Sequence, residues 1–391
     1  MHIDKKGAAS FGTIVAIFGS ILIALGFAWL IAQNWHQIPA LLKIIILLGA
    51  TSAAYVAGTM LRVHNYEKIA GALLALGALL YSLSIFLIAQ IYFTSASFQG
   101  QAWLWLICWV GVIAAAYIFD SSISLVIALV EFVIWLFVQF LAFSINDLFD
   151  VIDSDGGITL GILAFYLLAT GALVYGLSLL HRAKNHKFAG VYQWWTAFYF
   201  LGFAYLISFQ VFLTFLWPKD TGFSTPAIVF LFFLVLIAIV VLISGVMASV
   251  RRNIVENKEL IGFIAVVVLL ALLIGSTSMV SGLEPGWSVF GGHSEVSSKL
   301  WAIWIFANII FIGLILAVIF YGTWQRLPKL INLGIVFFAL DIITRYIGFI
   351  MDLWGYTSLS VIFITGGVIL LFGGWFIEKW RRNLIMKIKS K

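Results

Sequence analysis

The sequence predicts an all-α bundle of about twelve transmembrane helices, and three observations carry that expectation. Apolar runs long enough to cross a bilayer recur from Phe11 to Trp380. Only 10% of the 391 residues are charged, against about 25% in soluble domains. The Lys and Arg residues that remain collect on alternate connecting segments, as membrane topology requires.

The spans are expected at 11–33, 40–61, 68–93, 101–119, 122–144, 157–181, 188–216, 224–250, 259–280, 299–323, 328–350 and 357–380. The first follows Lys5 and Lys6 like the core of a signal peptide, but it is too long and lacks a small-x-small site, so it reads as an uncleaved helix. The tightest join is Asp120-Ser121-Ser122, where a two-residue turn must separate two spans. Of 22 Lys and Arg, eighteen then fall on one side, in the segments around Lys5, Arg62, Arg182, Arg251 and Arg326 and in the tail after Lys379. Lys43, Lys219 and Lys299 fall on the other side, and Arg345 lies within a span. Basic residues stay in the cytoplasm, so both termini are placed there, in the cell membrane. The whole chain is read as one integral membrane domain.

The net charge of +6 is explained by this topology, so no nucleic-acid partner is expected. One cysteine, Cys108, excludes an internal disulfide and a thiol metal site. No Gly-x-Ser-x-Gly elbow, His-Glu-x-x-His or phosphate-binding glycine loop occurs. The six histidines fall at interfaces or in loops. No catalytic residue, cofactor or metal is therefore expected, and the chain does not read as an enzyme. Asp147, Asp150, Asp153 and Asp155 mark an acidic outer loop, and the Gly- and Ser-rich 281–298 segment carries Glu284 and His293.

A charge inside the hydrocarbon core costs a few kcal/mol or more, so each one is a functional candidate. Glu131 sits near the middle of the 122–144 span and is a candidate proton-binding carboxyl. Asp341 and Arg345 are four apart on one helix, so they share a face and can pair. Arg345 keeps its proton, so it must be paired, hydrated or in contact with an anion. Asn34, Trp35 and Gln90 form a weaker set of candidates. Gln90, Gln139, Gln193, Gln210 and Asn308 can each bond across helices. Small residues at Gly71, Ala75, Ala78 and Ser82 mark a close-packing face.

The segment Ala32-Gln33-Asn34-Trp35-His36-Gln37-Ile38-Pro39 resembles a junction in the prokaryotic multi-pass membrane family known as domain of unknown function 2157. Gly77-Ala78-Leu79-Leu80 leading to Ala89-Gln90-Ile91-Tyr92, then Trp103 and Trp105, are similar too. The resemblance covers mainly residues 10–145, a module of about five helices, with 157–380 holding the rest. His36 stands where relatives tend to have an acidic residue. The resemblance implies a multi-pass membrane protein and no activity.

Three functions are left open. The first is a transporter or permease-like protein for a small solute or lipid precursor, with Glu131, Asp341 and Arg345 lining its path. The second is a non-transporting scaffold or envelope-assembly factor, and the third an intramembrane lipid-modifying enzyme built on the outer loops. The partners expected are the lipid bilayer and a small solute or lipid ligand.

Overall fold

The computed structural model describes residues 37–92, 97–144, 160–216, 225–280, 283 and 297–353, with the isolated residues 29, 33, 364, 367, 368, 375, 379, 382 and 386. Among them every regular element is helical. The helices are α1 (Ala40–Val63), α2 (Glu67–Tyr92), α3 (Phe98–Ile118), α4 (Ser122–Ser144), α5 (Leu160–Ala183) and α6 (Ala189–Ile207). They continue with α7 (Gln210–Phe215), α8 (Thr225–Val250), α9 (Asn257–Ser276), α10 (Ser298–Trp324) and α11 (Pro328–Leu353). Nine helices among the described residues are long and apolar enough to cross a membrane: all except α6 and α7. Apart from those isolated residues and 283, 297 and 298, the spans expected at 11–33 and 357–380 and the two outer loops lie outside the described residues.

Asp120-Ser121 does separate two helices, α3 and α4. The turn is one of five built alike. Asn65, Asp120, Asn185, Asn253 and Arg326 all take positive φ, between 48° and 65°. In each case the next amide bonds back to a carbonyl five residues earlier: Tyr66 to Leu61, Ser121 to Ala116, His186 to His181, Ile254 to Ser249 and Leu327 to Gly322. This is the Schellman closure, which satisfies the last carbonyls of a helix and turns the chain sharply. Asn and Asp tolerate the left-handed region best among non-glycine residues, and they hold four of the five positions. Arginines add a second cap: Arg62 donates to the carbonyls of Phe119 and Asp120, and Arg252 to that of Ala183.

The chain divides into two compact units, residues 1–95 with 104–131, and residues 96–103 with 132–391. In the first, the small-residue face of α2 works as the sequence predicts. Ala78, Val112 and Ala128 meet in a fully buried seam, and a Cβ on Gly77 or Gly111 would run into the ring of Tyr55 or Tyr81. In the second, α5 and α8 cross at two glycines. A Cβ on Gly245 would stand 2.6 Å from the carbonyl oxygen of Gly176, so the backbones touch, as small residues permit in lipid. The largest core of this unit joins α6, α9, α10 and α11 around Leu201, Leu270, Phe311 and Ile331.

One expected span is corrected. The run 188–216 is not a single helix: α6 ends at Ile207, Phe209 is extended (φ −96°, ψ 135°), and the short α7 begins at Gln210. No proline causes the break. In place of a backbone amide, the Ser208 carbonyl accepts from side chains of α10 and α11. A smaller difference is that the 259–280 span closes in a 3-10 turn at Thr277–Val280.

Candidate functional site

Three polar clusters interrupt the apolar interior, one in the first unit and two in the second. The first is built on Glu131, halfway along α4 and only 4% exposed. Ser82 of α2 donates a 2.5 Å hydrogen bond to its Oε1. The Cys108 thiol of α3 lies 3.7 Å from the Ser82 carbonyl, which it faces as a weak donor. Glu131 Oε2 is buried and has no hydrogen-bond partner among the described residues. Among the described residues no cation forms an ion pair with it. A carboxylate offers about four acceptor sites, and here one is used. Such a group is costly to keep if its role is only to hold helices together.

The second cluster surrounds the break after α6. Arg345 Nε donates to Asp341 Oδ1 at 3.2 Å, the pairing that the four-residue spacing predicts. Its Nη2 donates to the Ser208 carbonyl (3.0 Å), the Ser208 hydroxyl (2.8 Å) and Asn308 Oδ1 (2.7 Å). Asn308 Nδ2 also donates to the Ser208 carbonyl, at 3.2 Å. The guanidinium carbon lies 4.7 Å from the Phe209 ring centre and 5.8 Å from that of Trp304. A helix C-terminus carries partial negative charge, and here the compensating cation is a side chain of the protein. The Arg345 side chain is 30% exposed and that of Asp341 13%.

The third cluster is one that sequence reasoning missed. Arg182, counted there only as a topological charge, pairs with Glu259 at 2.5 Å. Glu259 also accepts from Tyr175 (3.1 Å) and Tyr321 (3.0 Å), and Gln193 donates to the Tyr321 hydroxyl at 2.6 Å. Four helices, α5, α6, α9 and α10, are tied together. The available signal was an Arg ending one apolar run and a Glu opening another. Nothing local says that the two meet.

Of the weaker candidates, Gln90 lies near the end of α2 and is exposed, while Asn34 and Trp35 lie outside the described residues, as do Asp153, Glu284 and His293. Glu131 belongs to the first unit and the Asp341–Arg345 pair to the second. Among the described residues no group of three or more His, Cys, Asp or Glu side chains is placed to hold a metal.

No curated protein and no solved structure matches the chain. A family model does match part of it. The match begins nearer the N-terminus than the resemblance in the sequence and ends before residue 145, taking in Ser82 and Cys108 but stopping short of Glu131. Over residues 2–125 the chain is thus similar to the family described as Predicted membrane protein (DUF2157), and among the described residues nine helices are long and apolar enough to cross a membrane.

Proposed function

We propose that this is a cell-membrane protein of about twelve spans, both termini in the cytoplasm, which moves a small solute or lipid precursor with Glu131 as a proton-exchanging group. The eighteen-to-three division of loop Lys and Arg and the use of one turn type after the second, fourth, sixth, eighth and tenth expected spans support the topology. The observation that carries the transport reading is the empty Oε2 of Glu131. A structural glutamate in hydrocarbon gains from having both oxygens bonded. A carboxyl that takes up and releases a proton needs one that is unoccupied. The interrupted helix at Ser208 supports the same reading, since irregular backbone at membrane depth is tolerated where it is buried in protein or lines a cavity.

The test is proton movement in proteoliposomes carrying a pH-sensitive dye, challenged with a panel of small anions, amines and sugars. The wild-type chain is expected to move protons with at least one solute, and Glu131→Gln to abolish that coupling while keeping its thermal stability in detergent. The scaffold reading, favoured by the saturated Arg182–Glu259 network, makes the opposite forecast. Under it, no solute moves protons, and Glu131→Gln lowers the melting temperature with no ligand restoring it.

A further inference from the structure

We infer that the site at the helix break recognises an anionic oxo group, a carboxylate or a phosphate, on the free Nη1 edge of Arg345. The inference rests on the transport reading for its physiological meaning, but the binding it describes is measured separately.

A guanidinium has five N–H donors in one plane. In Arg345 the Nε donor goes to Asp341, and the two on Nη2 are shared among the Ser208 carbonyl, the Ser208 hydroxyl and Asn308. Nη1 makes no hydrogen bond among the described residues. Its two donors are therefore open, on a side chain that is 30% exposed. The four bonds at Nε and Nη2 come from Ser208, just past the end of α6, and from α10 and α11, and fix the plane of the group. Phe209 and Trp304 lie within cation–π distance of it, and the donors left for a polar ligand are those of Nη1.

That geometry selects by charge and direction. The edge carries donors only, so it offers nothing to an amine. The two Nη1 N–H groups diverge from one nitrogen, so each holds a single anion oxygen by a charge-assisted hydrogen bond, in a plane fixed by the rest of the guanidinium that a lysine ammonium would not keep. Asp341 neutralises Arg345 in the empty site, so an arriving anion leaves it one charge negative. A proton carried with the solute restores neutrality. Anion and proton entering together is the stoichiometry that a membrane-embedded carboxyl such as Glu131 would serve.

The test uses the full chain in phosphatidylcholine nanodiscs, with tryptophan fluorescence and thermal shift as readouts. The probes are inorganic phosphate and acetate, against chloride at equal ionic strength. Saturable binding of phosphate or acetate over chloride is expected, with the fluorescence change lost in Trp304→Phe. Arg345→Lys is expected to weaken binding at least tenfold. Asp341→Asn removes a neighbouring negative charge and is expected to tighten it severalfold, even if the melting temperature falls. A purely structural Arg345 cannot produce that gain. Repeating the measurement in phosphatidylglycerol nanodiscs separates the sources of the anion. If the lipid competes with phosphate, a headgroup is the natural occupant; if it does not, the occupant is a free solute. Binding that is absent from both membranes, or that is unchanged by Arg345→Lys and weakened by Asp341→Asn, overturns the inference. Anion binding with no proton movement would retain this site and discard transport; proton movement indifferent to Arg345→Lys would do the reverse.

Discussion

Glu131 in the first unit and Glu259 in the second are buried almost equally, at 4% and 7% exposed, in helices of similar apolar character. Glu259 faces a guanidinium and two phenols. Glu131 accepts from one serine hydroxyl, and its other oxygen has no hydrogen-bond partner among the described residues. Burial alone therefore does not set the cost of a buried acid. The number of donors around it does, because an ion pair in a low-dielectric interior stabilises only when the remaining lone pairs are also bonded.

Substitution can break this contrast. The largest effect is expected at Arg182→Ala, which leaves Glu259 buried without its cation and should cost about 3–5 kcal/mol in equilibrium unfolding. Adding Glu259→Ala should return part of that loss, as coupled partners do in a double-mutant cycle. If Arg182→Ala is nearly neutral, the network does not lock the four helices. Methionine at the two acids tests the comparison directly. Glu259→Met strands Arg182 and should destabilise strongly. Glu131→Met removes a poorly satisfied polar group and should stabilise by up to about 2 kcal/mol while ending proton coupling. A loss of stability at Glu131 as large as that at Glu259 would show the two sites to be alike. Tyr175→Phe removes one of several donors to Glu259, and its expected cost is smaller, about 1 kcal/mol by thermal denaturation. The smallest shift belongs to Glu131→Gln. It keeps an acceptor for Ser82, so its melting temperature should stay near that of wild type while proton movement in vesicles disappears.

Gain of stability on losing a function is the usual signature of a site held in an unfavourable state for a purpose. Under the proposed function Glu131 is expected to show it and Glu259 is not. The Arg345 cluster lies between them: one edge of the guanidinium is saturated and the other open. Its saturated edge caps the broken helix α6 and so has a structural task, which is why Ser208, Asn308 and Arg345 cannot be read as binding residues merely because they are polar.

Much of this was legible without coordinates. Helix limits at Ala40, Ser122, Thr225 and Pro328 fall within a residue or so of the expected spans, because run length, turn residues and charge are local properties. The four-residue spacing of Asp341 and Arg345 announced their pairing for the same reason. The break at Ser208 is not legible, since the run 188–216 contains no proline and neither of its glycines, Gly190 and Gly202, stands at the break. The side chains that bond the freed carbonyl lie a hundred residues and more away, at Asn308 and Arg345. In the sequence Arg182 marks only orientation, and Glu259 opens an apolar run with nothing local to set it apart. Their meeting depends on α5 and α9 packing side by side.

The sequence by itself determined that the chain is a helical membrane protein, and it singled out Glu131, Asp341 and Arg345, because burying a charge in hydrocarbon is costly wherever it occurs. Only the tertiary structure decided which of those charges are compensated, because in a bundle the partners of a side chain come from other helices. Among the described residues it gave Glu259 a full set of donors, left Glu131 with one, and engaged Nε and Nη2 of Arg345 while leaving Nη1 without a bond.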